Sequence, residues 1–410
     1  MKDPAIEQLN HRYKPYMSKI QVKRCEMSEE RGVFATENIR KGEVVLRMPL
    51  AECMVGDHKQ LATKLTLMEE STVYTRALPA STSNFPAQYN EHTLQSMGDS
   101  AMVGLSKNRR IALLEDKPKN LLDQPWLHYR LLVGSRGFST KDKEHVVLCP
   151  VGDMMNHSNE HNIDWKVEKM KCDECLDGIE ETETNYRQAA DIIDICPPLV
   201  CDDPVERSCI VFRALSHIDK GKQLFDSYGT KTNYEALLFY GMVLLNNTQH
   251  DITYPILEVP VALRKNLNYQ YFKDEFEYEL CGAYSRGTLE IFSMLRFLVC
   301  ANLDSSKCPK SLQGIYLQPI SIDNELAVVT VLLDHLNAKM NKRPISPPKH
   351  QIVCSFLRTE RKIYSHWINT LTESQQILGH LSKKNKKKAG KSYKKATKTD
   401  YMINVVNSFM

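Results

Sequence analysis

A chain of 410 residues, 42% hydrophobic and 25% charged, has an ordinary globular composition and is long enough for two or three domains with their own cores. No apolar run approaches the ~18 residues that span a bilayer, and the opening MKDPAIEQLNHRYKPYM is too polar for a secretory signal, so no membrane contact is expected. The formal charge of +4 is unevenly placed: nine lysines crowd into residues 382–398, and the remainder is mildly acidic.

In chain order, GVFATENIRKGEVVLRMPL at 32–50 alternates and is rich in Val and Leu. It predicts two strands joined at Lys41-Gly42. From 57 to 134 the apolar spacing turns helical, as in LATKLTLMEESTVYTRAL and PWLHYRLLVGSR. VVLCPVGDMM at 146–155 predicts a buried strand running into a polar turn. SCIVFRALSHIDKGKQLFDSYG at 208–229 predicts two short strands around another Lys-Gly turn, and NYEALLFYGMVL a helix followed by a short strand. Helical periods dominate from about 255 to 380, as in TLEIFSMLRFLVCANL and ELAVVTVLLDHLNAKM.

This order predicts an α+β protein. Residues 1–18 form a leading segment. A β-rich domain over 19–250 carries a helical insert at about 57–134. A helical domain follows over 251–380, and a Lys-rich tail over 381–410. A lysine block cannot bury itself. It reads as a nuclear-import signal, as a contact with nucleic acid or the ribosome, or as a solubilising tail. The chain is expected in the cytoplasm, the nucleus or both. Its twelve cysteines are irregularly spread, which favours reduced thiols over a disulfide framework.

A second, acidic insert at about 165–207 holds Cys172, Cys175, Cys196 and Cys201. CxxC followed by CxxxxC could place four thiolates around zinc. The wider second pair, with its two prolines, suits a mobile acidic loop better than a zinc site, and such a loop could steer a basic substrate.

Four motifs in order, RGVFATENIRKGEVVLRMP, SRGF, DMMNHS and GKQLFDSYGTKTNYEALLFYGMV, resemble the SET domain of protein methyltransferases. The branch is that of the Rubisco large-subunit methyltransferase, which includes the actin-histidine methyltransferase. LPASTSNFPAQYNEHTLQSM at 78–97 resembles the helical insert of this branch. The helical half resembles its substrate-binding domain, and the likeness spans roughly residues 18 to 375.

The resemblance implies a SET pseudoknot, S-adenosylmethionine as cofactor, and a protein substrate held in a cleft between the SET and helical domains. Such chemistry needs alignment and exclusion of water rather than a metal or a covalent intermediate. By resemblance, Tyr228 stands at the transfer site. Arg136 meets the cofactor carboxylate through its planar fork. Asp153, Asn156 and His157 line the cofactor pocket from one side. Tyr240, Gly241 and Met242 close it from the other, although core packing accounts equally for Tyr240 and Met242.

The strand entry at Glu29, Glu30 and Arg31 approaches the cofactor too. Glu30 stands where the family has the first glycine of Gly-x-Gly, a residue that permits close approach. Phe138 and Gly152 are expected at the acceptor, where an aromatic wall suits a lysine. The reading is a protein-lysine methyltransferase. The alternatives are a protein-histidine (actin-type) methyltransferase and a non-catalytic SET scaffold that binds a protein partner.

Overall fold

The computed structural model describes residues 3–25, 31–68, 72–98, 100–121, 123–139, 145–170, 207–245, 247, 252–265, 275–281, 286–303, 320–342 and 349–388. The chain opens with α1 (Pro4–Tyr13), β1 (Ile20–Arg24), β2 (Arg31–Ala35), β3 (Val44–Pro49) and β4 (Met54–Asp57). Helices α2 (His58–Met68), α3 (Val73–Ala77), α4 (Glu91–Gln95), α5 (Met102–Glu115) and α6 (Asp123–Arg136) follow. Next come β5 (Phe138–Ser139), β6 (His145–Leu148), β7 (Asn156–His157), β8 (Ile163–Met170), β9 (Arg207–Ala214), β10 (Gln223–Asp226) and α7 (Asn233–Tyr240). The remainder holds β11 (Ile252–Thr253), β12 (Ile256–Glu258), β13 (Glu275–Glu277), β14 (Leu280–Cys281), α8 (Arg286–Leu303), α9 (Ile322–Asn341) and α10 (Gln351–Lys388). The class is α+β, as the sequence predicts. Among the described residues no helix is long and apolar enough to cross a membrane.

The chain forms two compact units. The first comprises residues 1–82 and 110–230. Its strands make three small sheets, ordered β1-β2-β10-β7, β3-β9-β8 and β4-β6-β5. Both Lys-Gly turns form where expected, with Gly42 and Gly221 in the left-handed region at φ +81° and +84°. A side chain would strain either position. The turns lie in neighbouring loops tied by an Ile39–Ile218 bridge. Alternate strand residues point inward onto one core, where Trp126, Phe212, Leu46, Met48 and Leu148 are fully buried. β10 is the central element for function. It runs antiparallel to β2, with Leu224 opposite Val33, and parallel to β7, with Phe225 opposite Asn156.

The second unit comprises residues 83–109 and 231–410. The division falls at 230/231, twenty residues before the boundary near 250 read from the sequence, and part of the helical insert joins the second unit. The cause is packing. Tyr89, Leu94, Met97 and Met102 share one apolar cluster with Tyr234, Leu237, Val353 and Phe356. Ser100 also donates to the buried Glu360 carboxylate at 2.9 Å, and Tyr234 and Thr253 share the same oxygen. α7 is capped at its start by a reciprocal Thr232/Glu235 box.

This half departs from the helical expectation in three ways. Two short ribbons form, β11–β14 and β12–β13. Residues 241–245, directly after α7, form no strand, because Gly241 turns left-handed at φ +65° and ends the helix with a Schellman-type pair of bonds to the Leu237 and Ala236 carbonyls. The helix α10 continues to Lys388, so the first part of the lysine run is helical rather than a free tail. Residues 389–410 lie outside the described residues. So do 171–206, which carry Cys172, Cys175, Cys196 and Cys201; only the flanks of that insert, β8 and β9, are described.

Candidate active site

The site residues of the first unit meet because β7 and β10 pair in parallel. Asn156 and His157 lie opposite Phe225 and Asp226, although 69 positions separate each pair in sequence. Asn162 locks the register. Its side chain accepts from the Phe225 N–H at 2.8 Å and donates to the Gln223 carbonyl at 3.1 Å, and its backbone N–H donates to the Phe225 carbonyl. The Ser158 N–H adds a bond to the Asp226 carbonyl at 3.1 Å.

Tyr228 follows two residues on. Its backbone N–H donates to His157 Nδ1 at 3.0 Å, and the two rings stack at 5.2 Å with 29° between their planes. Nδ1 therefore carries the lone pair, and a neutral imidazole there holds its proton on Nε2. The Tyr228 hydroxyl donates to the Met155 carbonyl at 2.8 Å. Asn156 donates its amide to the Arg31 carbonyl at 2.9 Å, joining β7 to β2. Arg31 thus reaches the site through its backbone. Its guanidinium is engaged elsewhere, by Asp3 at 3.3 Å and the Ala77 carbonyl. Glu29 and Glu30 lie outside the described residues.

Arg136, the last residue of α6, donates through Nη1 to the Asp153 carbonyl at 2.7 Å. Asp153 is buried in the turn after β6, where Val151 takes φ +69°. A β-branched residue in that region is strained, as functional turns often are. Asp153 Oδ2 accepts from the Tyr74 hydroxyl at 2.6 Å, while Oδ1 is buried with no partner among the described residues. Burial pushes this carboxyl up to about 6, against the pull of Arg136 and Tyr74.

Gly152 and Phe138 share one aromatic cluster. Phe138 is buried edge-on to Trp165 at 4.9 Å and to Phe212 at 5.4 Å. A Cβ on Gly152 would come within 2.6 Å of the Phe212 ring, so Phe212 fills the space a larger residue would need. Tyr240, Gly241 and Met242 belong to the second unit. Tyr240 and Met242 are half-buried there, and Gly241 serves as the α7 cap, its Cα facing the Phe85 ring.

Sequence reasoning missed Tyr74, Asn162 and Asp226. Asp226 had a signal, an acid directly after the apolar pair Leu224-Phe225 in a predicted strand; the other two had none. Asp226 is buried, and its carboxyl is pushed up to about 7, mainly by burial, with the Asp164 charge adding to the rise. The folded value lies above the ordinary 3.8. The native state therefore binds the proton more tightly than the unfolded chain does. The stability this contributes is complete below pH ~4 and is lost as pH rises toward ~7. Asp226→Asn should flatten that decline, read as urea midpoints across the same window. Parallel profiles for the two proteins would refute it.

The SET-domain family model matches residues 30–229. The chain carries a SET domain. The β2–β10–β7 arrangement and the Tyr228 turn fall within it or at its edge. No curated protein matches. Solved structures do, across nearly the whole chain. The SET domain of LSMT bound to lysine and AdoHcy is 13% identical, with 98% of this chain and 99% of that chain covered and a TM-score of 0.59. Rubisco LSMT bound to AdoMet is 14% identical, with 98% and 100% covered and a TM-score of 0.58. Rubisco LSMT bound to sinefungin and monomethyllysine gives 13%, 98%, 100% and 0.59. At such identities the likeness is one of fold. Among the described residues no group of three His, Cys, Asp or Glu side chains is placed to hold a metal.

Proposed function

We propose that the chain is an S-adenosylmethionine-dependent protein N-methyltransferase that modifies a lysine side chain. The observation that carries this reading is the convergence of Arg136, Asp153, Asn156, His157 and Tyr228 within one SET domain. These residues suit the cofactor. A buried, unpartnered Asp153 oxygen answers an ammonium, and the Arg136 fork answers a carboxylate. S-adenosylmethionine, when bound, supplies a methyl group activated by a sulfonium.

The protein's own part is positioning. Arg136 and Asp153 hold the amino-acid end of the cofactor. Asn156 and His157 fix β7 against β2 and β10, which keeps the Tyr228 turn in place. The Tyr228 hydroxyl orients the acceptor nitrogen. Burial near a cation favours the neutral amine over the ammonium, whose free pKa is ~10.4. Lysine as acceptor draws support from the LSMT structures, which hold lysine or monomethyllysine. A protein substrate, which presents such a lysine, draws support from the same comparison.

Two measurements test the reading. Calorimetry should show that the unaltered chain binds S-adenosylmethionine and that Arg136→Ala weakens binding about tenfold or more, the loss of a charge-assisted pair. Affinity unchanged by the substitution would remove Arg136 from the cofactor site. Mass spectrometry of methylated peptides should place the mark on lysine, and a mark found only on histidine would overturn the lysine assignment.

A further inference from the structure

Tyr74 has a placement that packing alone leaves unexplained. It lies in α3, a five-residue helix fixed by a reciprocal Thr72/Thr75 cap, and only 4% of its surface is exposed. A buried hydroxyl must find a partner, and a phenylalanine would fill the same space without that demand. The partner is Asp153 Oδ2, at 2.6 Å and 79 residues away. Asp153 is itself only 5% exposed. Its carbonyl is held by Arg136 and one carboxylate oxygen by Tyr74, while Oδ1 is buried and has no partner among the described residues. A carboxylate anchored on one side, with its other oxygen unmatched in a strained turn, is built to receive a donor.

We propose that Tyr74 is a positioning residue of the cofactor site: its hydroxyl orients the Asp153 carboxylate so that Oδ1 accepts from the amino group of the cofactor's amino-acid end. This rests on the proposed function and adds to it a residue outside the motifs that define the family likeness.

The electrostatics agree. The groups facing Asp153 are Tyr74 from α3, Arg136 from α6 and Cys149 after β6. Burial raises the Tyr74 phenol and the Cys149 thiol well above their ordinary values, so both stay protonated near neutrality. The Tyr74 hydroxyl therefore donates and holds the carboxyl toward its ionised form. Without it, burial would push Asp153 above its value of about 6, and a larger fraction would be neutral at pH ~7.

The test is calorimetric binding of S-adenosylhomocysteine, which has the same amino-acid end, to the full chain and to Tyr74→Phe between pH ~6 and ~8. The ratio of the two dissociation constants at each pH cancels the ligand's own titration. About a tenfold weakening is expected near pH ~6.5, narrowing as pH rises and the variant's Asp153 ionises. Asp153→Asn should weaken binding similarly, and adding Tyr74→Phe to it should cost little more. At saturating cofactor kcat should change far less than the cofactor KM. Equal affinities at every pH, or a loss that does not vary with pH, would overturn the role of Tyr74. If the unaltered chain binds no S-adenosylhomocysteine, the cofactor reading itself fails, which is a different result.

Discussion

Tyr228→Phe is expected to slow methyl transfer by ~10²-fold or more while cofactor affinity and the fold persist. The substitution is nearly isosteric. The ring keeps its stack on His157, and the backbone N–H keeps its bond to His157 Nδ1. Only the hydroxyl is lost, and with it the 2.8 Å bond to the Met155 carbonyl. Tyr228 is half-exposed, so water can serve that carbonyl, and the stability cost should be about 1 kcal/mol. A deficit confined to the rate therefore isolates what the hydroxyl does for the acceptor nitrogen. Single-turnover kinetics at saturating cofactor, beside a melting curve, separates the two effects. An unchanged rate would show that this hydroxyl takes no part in transfer, and the search for the orienting group would move elsewhere in the domain.

How much of this was legible beforehand depends on the range over which each feature is determined. The two Lys-Gly turns are local, since a left-handed residue flanked by alternating apolar runs has few other solutions, and both formed where expected. The meeting of DMMNHS with the Tyr228 turn is not local. It was legible only through the family resemblance, and the parallel β7–β10 pairing bears it out. The ribbons β11–β14 and β12–β13 escaped because strands of two or three residues carry no period. The division at 230/231 escaped because it depends on which core captures residues 83–109, a matter of long-range packing. Tyr74 escaped for the same reason: nothing in VYTRA distinguishes a core tyrosine from one that holds a carboxylate 79 residues away. Phe138 shows the opposite limit. It was expected as an aromatic wall at the acceptor, and its ring packs edge-on against Trp165 and Phe212, neighbours that the sequence did not foretell.

The largest effect on stability should come from the second unit, where Arg296 of α8 and Glu325 of α9 form a buried fork. Nε donates to Oε2 at 2.7 Å and Nη2 to Oε1 at 2.6 Å, with 5% and 2% of the side chains exposed. The bidentate geometry satisfies both oxygens, and Asn324 donates to the Arg296 carbonyl at 3.1 Å. Taking two charges out of water is costly, and their attraction recovers that cost only while both are present. Glu325→Leu alone takes the bidentate carboxylate away from a buried guanidinium and should lower stability by about 3–5 kcal/mol. For a unit of this size each kcal/mol corresponds to roughly 2–4 °C in melting temperature. Arg296→Met alone should cost a similar amount. The double replacement should recover much of the loss, because an apolar pair of similar volume avoids desolvation altogether. Melting curves of the two single variants and the double variant form the test. Additive losses would mean that the two residues act independently through packing. Strong coupling would mean that the fork, rather than the bulk of its side chains, holds α8 against α9 in the helical half.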